Sequence, residues 1–301
     1  MATTSFECDR REFLYAGAGL LAPLRIVQSL KLLRCGTDGH HGGTALHDLS
    51  TFERRDKAFT AFGKPHKLYV RGDKGAPPVL VLHELPGMTP HDVDLAYRLS
   101  EQGLRVYLPL LFGKEYDNKF GTHYWNECVF GPWPWEDKKS FNAWVTPLLA
   151  LCDQIFAETQ RKIGVIGMCL TGIIPLSLMA NPHVVAPVLG QPTLPFPFDD
   201  GRKRALGMTD AEIARVADRF KKEKLSMLAF RASTDCFCPH ERFVTLRSTF
   251  GEEHCDCREI AYPPKQHGHS VLAFEFHTDN PPTGVREAFD DTVTFLKKAL
   301  R

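Results

Sequence analysis

The sequence predicts an α/β protein: one mostly parallel central sheet with helices on both faces. Three observations carry this. Short apolar runs alternate along the chain with segments of helical 3.6-residue period. One run, Val79-Leu80-Val81-Leu82, is apolar throughout, as in a strand buried on both faces. The chain's 301 residues, 43% hydrophobic, are enough for the core of one large domain. With 37 basic against 36 acidic side chains there is no electrostatic case for nucleic acid or a membrane surface. No apolar run approaches the length of a membrane-spanning helix.

Residues 1–50 stand apart from the domain expected over 51–301. Arg10-Arg11-Glu12-Phe13-Leu14 precedes a weakly apolar Ala16–Ala22 stretch and resembles a twin-arginine export signal. Arg25 breaks that stretch and no clean cleavage site follows, so an amphipathic extension on the domain reads equally well. Gly36–Gly43, with His40 and His41, reads as a polar linker; His40, His41 and His47 have the chemistry to bind a metal, but a solvated loop is the expectation.

From about Phe52 each element has its own signal. Strands are expected at Lys67–Val70, Val79–Leu82, Val106–Pro109, Ile163–Ile166, Val184–Leu189, Met227–Arg231 and Arg258–Ala261. Between them fall helices at about Pro90–Gln102, ended by Gly103, at Ser140–Glu158, and behind Cys169. Further helices are expected at Asp210–Lys222, from Pro239, and at Val285–Leu300. Two stretches break the rhythm: the aromatic Tyr124–Trp135 and the Pro-, Phe- and Leu-rich Gln191–Phe198. Each reads as the roof of a pocket or as a rigid surface loop.

The chain is organised around Gly167-Met168-Cys169-Leu170-Thr171-Gly172. A β-branched strand runs into a glycine, then a potential nucleophile, then a helical pattern. This is the nucleophile-elbow pattern G-x-S-x-G with Cys for Ser. Thr171 stands where a residue without bulk is expected, which predicts a tighter turn. Two later loops supply an acid and a base in the matching chain order. Asp235 follows the strand at 227–231, and His267 and His269 follow the strand at 258–261.

These residues resemble the dienelactone hydrolases of the α/β-hydrolase superfamily, from about Phe52 to the C-terminus. The resemblance rests on Val79–Gly87 with its His83-Glu84, on the cysteine elbow, on Asp235 with Pro239 and Glu241, and on His269-Ser270. It implies an α/β-hydrolase fold and hydrolysis of a carboxylic ester or lactone through an acyl-thioester. Cys169 would be the nucleophile, His269 the base with His267 as fallback, and Asp235 its orienting carboxylate. Glu84 would pair with the resting thiol, and the N–H groups of Leu85 and Leu170 would form the oxyanion hole. No metal or organic cofactor is implied. The partner expected is a small-molecule ester or lactone, with no nucleic acid and no membrane, for a monomer or small homo-oligomer. Ala273 replaces an arginine that family members use to hold the substrate carboxylate, which argues for a less charged ester.

Other readings remain. The same scaffold serves as a non-catalytic binder of a small molecule or partner. Nine cysteines, an odd number, leave at least one thiol unpaired within the chain. Cys236, Cys238, Cys255 and Cys257, with His240 and His254, are C-x-C pairs rather than C-x-x-C, and read as reduced thiols rather than as a zinc site. That favours a cytoplasmic protein, with export by the twin-arginine route as the alternative.

Overall fold

A computed structural model describes residues 47–117, 142–264, 266–278 and 280–301. The export-like segment, the linker with His40 and His41, and Tyr124–Trp135 lie outside the described residues. Among these, eight strands form a single sheet: β1 (Glu53–Ala61), β2 (Lys64–Arg71), β3 (Pro78–Leu82), β4 (Arg105–Pro109), β5 (Ile163–Met168), β6 (Val184–Gly190), β7 (Met227–Ala232) and β8 (Cys255–Ile260). Their order is β1-β2-β4-β3-β5-β6-β7-β8. The β1–β2 and β2–β4 pairs are antiparallel, and every pair from β4 to β8 is parallel.

Side-chain alternation sorts the core into two layers. Leu80 and Leu82 point to one face, with Val79 and Val81 on the other. Helices α1 (Pro90–Glu101) and, at the C-terminus, Thr283–Ala299 cover the Val79 face through Val93, Ala96, Val285 and Leu296. The other face is covered by α2 (Asn142–Thr159), α3 (Ile174–Leu178), α5 (Asp210–Glu223) and α6 (His240–Phe250). A short α4 (Asp200–Arg204) precedes α5, and the C-terminal helix is α7. Helix α1 begins at Thr89 in a capping box, its hydroxyl accepting the Asp92 N–H while Asp92 accepts the Thr89 N–H. The same reciprocal cap, Thr209 with Glu212, starts α5.

One strand had no clear signal in the sequence. Strand β1, Glu-Arg-Arg-Asp-Lys-Ala-Phe-Thr-Ala, is an edge strand with mostly exposed side chains, so it lacks an apolar period. It is joined to β2 by Phe62-Gly63, both at positive φ (52° and 70°), as a two-residue hairpin of type I′ requires. Packing also begins before Phe52: His47 stacks on Tyr97 at 3.6 Å and bonds Asp94 at 2.7 Å. His47 is therefore tied to α1 rather than solvated. Among the cysteines expected to be reduced, Cys152, Cys169, Cys238, Cys255 and Cys257 are free thiols, whereas Cys236 is disulfide-bonded.

Candidate active site

The parallel sheet brings the ends of β3, β5, β7 and β8 to one edge, and the expected groups follow those four strands. Cys169 comes directly after β5 with φ at +52°, a left-handed conformation that costs a non-glycine residue about 1–3 kcal/mol. Its neighbours make that turn sterically feasible. A Cβ on Gly167 would lie 2.3 Å from the Thr171 carbonyl oxygen, and one on Gly172 would lie 2.6 Å from the Pro192 backbone. Only hydrogen fits at either place. Thr171, expected to crowd the turn, instead secures it. Its buried hydroxyl accepts the Met168 N–H at 3.0 Å and reaches the Leu82 carbonyl at 3.1 Å, tying the tip of β5 to β3.

The loops after β7 and β8 meet beside the sulfur. Asp235 Oδ2 lies 2.8 Å from His269 Nδ1. Its other oxygen accepts the N–H groups of Phe237 (2.9 Å) and Cys238 (3.0 Å), so the carboxylate is fixed from both sides. The Phe237 ring meets the imidazole edge-on at 5.5 Å. Glu275, also buried, accepts the His269 N–H at 3.0 Å and holds the base loop. His267 is exposed, so His269 is the histidine joined to Asp235. Burial works against a charge on His269, but the charges of Asp235 and Cys169 outweigh it and hold the imidazole well above its ordinary pKa.

Glu84 is buried behind this pair. One carboxylate oxygen bonds the Ser270 hydroxyl and the other accepts Gln191 Nε2 at 3.2 Å. It is not bonded to the thiol, the partner the resemblance implied. Burial raises its pKa, opposed by the charge of His269. Asp92 beside it is also raised, by burial and then by Glu84 itself. His83 shapes the same loop. Its Nδ1 bonds the Glu84 carbonyl and its Nε2 accepts the Leu111 N–H, each at 3.0 Å. Burial pushes His83 down to about 4, which keeps it neutral. The N–H groups of Leu85 and Leu170 have no hydrogen-bond acceptor among the described residues.

The loop after β6 closes the crevice between β5 and β7. Thr193 N–H bonds the Cys169 carbonyl at 3.0 Å, and the Thr193 hydroxyl lies 3.6 Å from Cys169 Sγ. Buried Arg242 anchors this loop, donating to the carbonyls of Pro192 and Pro195 at 2.6 Å each. The Gln191–Phe198 stretch, which reads as a pocket roof or a rigid loop, is thus fixed against the elbow. Thr193 and Gln191 were not singled out individually in the sequence, whereas Ser270 was marked only as the neighbour of the base. The role of Thr193 and Gln191 comes from where the β6 loop lands, and that of Ser270 from the β8 loop that meets Glu84. Among the described residues, no three His, Cys, Asp or Glu side chains gather so as to hold a metal ion.

A mostly parallel sheet, a left-handed residue at a strand tip, and a carboxylate bonded to an imidazole from the loops after β7 and β8 are the arrangement of an α/β hydrolase. The dienelactone hydrolase family model matches residues 67–300, and the chain belongs to that family of carboxylic-ester hydrolases. Solved structures share the fold. A dienelactone hydrolase-like promiscuous phosphotriesterase from metagenomic libraries superposes with a TM-score of 0.60 at 17% identity, over 83% of this chain and 100% of its own. The dienelactone hydrolase of Anabaena variabilis gives 0.53 at 14%, over 83% and 100%. A cold-adapted esterase from an Arctic intertidal metagenomic library gives 0.52 at 13%, over 86% and 99%. Among curated protein sequences there is no match. No helix of the described residues is long and apolar enough to cross a membrane.

Proposed function

We propose that this hydrolase cleaves its ester or lactone through a Cys169–His269–Asp235 triad and an acyl-thioester intermediate. The observation that carries the reading is the 2.8 Å bond from Asp235 to His269 Nδ1, beside a strained cysteine at a strand tip. With Nδ1 engaged, Nε2 is the nitrogen left to take the thiol proton.

The sulfur then attacks the carbonyl carbon. An S–C bond forms, and the C=O π electrons move onto oxygen, where the N–H groups of Leu85 and Leu170 receive the charge. Collapse restores the C=O and breaks the C–O bond. The leaving alkoxide takes the proton from His269, and the acyl group stays on sulfur. His269 next removes a proton from water, whose oxygen attacks the thioester. A second collapse releases the acid and returns the sulfur and imidazole to their starting state. Glu84 joins the site as the buried carboxyl group behind His269, held by Ser270 and Gln191. A swing toward the thiol, as in the family, would require it to give up Ser270 and Gln191.

The acyl group we assign carries no carboxylate. Ala273 is fully buried. The buried guanidinium groups of Arg242 and Arg231 are engaged by backbone carbonyls, with Glu259 also on Arg231. The disulfide at Cys236 supports export over a cytoplasmic location, because disulfides persist in oxidising compartments. N-terminal sequencing of the native protein decides between them.

A panel of uncharged chromogenic esters tests the reading. Cys169→Ala and His269→Ala are expected to lose turnover about 10³-fold or more, and His267→Ala to keep it. Full turnover in Cys169→Ala removes the nucleophile. Loss in His267→Ala with an active His269→Ala reassigns the base.

A further inference from the structure

We infer that Thr193 is a catalytic residue: its hydroxyl donates a hydrogen bond to the Cys169 sulfur while that sulfur carries negative charge. The inference rests on Cys169 being the nucleophile. Family resemblance leads one to seek a carboxylate at the thiol. Here Glu84 is turned away, held by Ser270 and Gln191. The position beside the sulfur is taken by the Thr193 hydroxyl, 3.6 Å from Sγ, within the range of a hydrogen bond to the larger sulfur atom.

The placement is built rather than incidental. Thr193 is 2% exposed. Its own N–H is pinned to the Cys169 carbonyl at 3.0 Å, which fixes the donor residue to the elbow it serves. On either side the chain is clamped, Pro192 and Pro195 giving their carbonyls to the Arg242 guanidinium at 2.6 Å. Gly172, open at its Cα, allows Pro192 to come this close. A donor held in position by backbone and a buried guanidinium needs no reorganisation when charge appears on sulfur.

The hydroxyl has a second acceptor, the Gln191 carbonyl at 3.3 Å. One hydrogen serves one acceptor at a time. Once the thiol proton has moved to His269, the sulfur is the stronger acceptor and the hydrogen points to it. When sulfur attacks and its charge passes through the new S–C bond to the carbonyl oxygen, Gln191 becomes the better acceptor. The hydroxyl thereby favours the thiolate before attack and is satisfied elsewhere in the acyl-enzyme. The Gln191 side chain holds Glu84, so both groups hang on the same loop.

The test follows the rate of alkylation of Cys169 by iodoacetamide as a function of pH, with the labelled peptide identified by mass spectrometry. Thr193→Val keeps the shape and removes the donor. Its alkylation midpoint is expected to move up by about one pH unit, and kcat/KM at neutral pH to fall about tenfold, the size of one hydrogen bond to a charged group. Thr193→Ser, which keeps the hydroxyl, is expected to restore most of both. A role confined to loop packing would lower thermal stability and leave the midpoint in place. A Thr193→Val midpoint equal to that of wild type, with Cys169 labelled, overturns the inference. Turnover that survives Cys169→Ala overturns the nucleophile itself, so the two failures are distinguishable. Should Val disturb the packing, Thr193→Ala removes the same hydroxyl without adding a methyl and is read in the same way.

Discussion

Replacing Asp235 by Asn probes the pair at its most constrained point. The Asn oxygen can still accept the N–H groups of Phe237 and Cys238, which now bond Oδ1 at 2.9 and 3.0 Å. The fold is therefore expected to survive. The Asn nitrogen then faces His269 Nδ1 and donates to it, which forces the imidazole into the tautomer with its proton on Nε2. That nitrogen can no longer accept the thiol proton. The expected loss of kcat at neutral pH is about 10³- to 10⁴-fold, or about 4–5.5 kcal/mol of transition-state stabilisation. A thiol differs from a serine hydroxyl here, because it ionises without help near pH 8.5. An unassisted thiol gains about 75-fold in thiolate between pH 6 and pH 8, so the variant's rate should climb steeply over that interval while the wild type does not. Stability gives a second check. The pKa of His269 is raised in the folded state, so its charged form stabilises the wild type below the unfolded imidazole pKa of about 6.5. That contribution fades as pH rises through the raised value. The difference in melting temperature between wild type and Asp235→Asn should therefore be widest in mild acid and narrow in base. Hydrolysis of a chromogenic ester from pH 6 to 9, with melting curves over the same range, measures both. An Asp235→Asn enzyme within tenfold of wild type at pH 7, or one whose rate ignores pH, would refute the assignment of Asp235 as the group that sets the tautomer.

Three further outcomes follow from the packing. Arg242→Met strips four backbone carbonyls (Ala205, Pro192, Pro195 and Arg202) of one shared donor. After partial relaxation this is expected to cost about 3–5 kcal/mol, read as a lower urea midpoint at unchanged slope. A Cβ at Gly268 would lie 2.4 Å from the Tyr262 ring, so Gly268→Ala should displace His269 and cut kcat about 10- to 100-fold. Adding Tyr262→Ala should recover part of that loss. Glu158, hydrogen-bonded to Arg55 first and to Arg105 and Tyr107, is held down at about 2 despite its partial burial. Its stabilisation is complete above the ordinary carboxylate range and is lost as pH falls toward that value. Glu158→Gln should therefore lower the melting temperature near neutrality, with the gap closing toward pH 2.

What the amino-acid sequence determined by itself is what local side-chain direction encodes. Apolar period marks strands and helices because alternate or every third and fourth residue must face one core. Seven of the strands were legible for that reason, and so were the loops that hold Glu84, Cys169, Asp235 and His269. Strand β1 was not, since an edge strand with charged side chains lacks the period. The turn of the elbow was legible from Gly167 and Cys169, but the fit of Thr171 was not, because its hydroxyl is satisfied by β3, about ninety residues earlier in the chain. The choice of His269 over His267 lay in the tertiary structure: two histidines in one loop have the same chemistry and differ only in which one meets Asp235. Thr193 and Gln191 were likewise decided by strand order, which sets the β6 loop between the nucleophile and the acid. Contacts of that kind depend on which chain segments become neighbours in three dimensions, and no local pattern of residues records it.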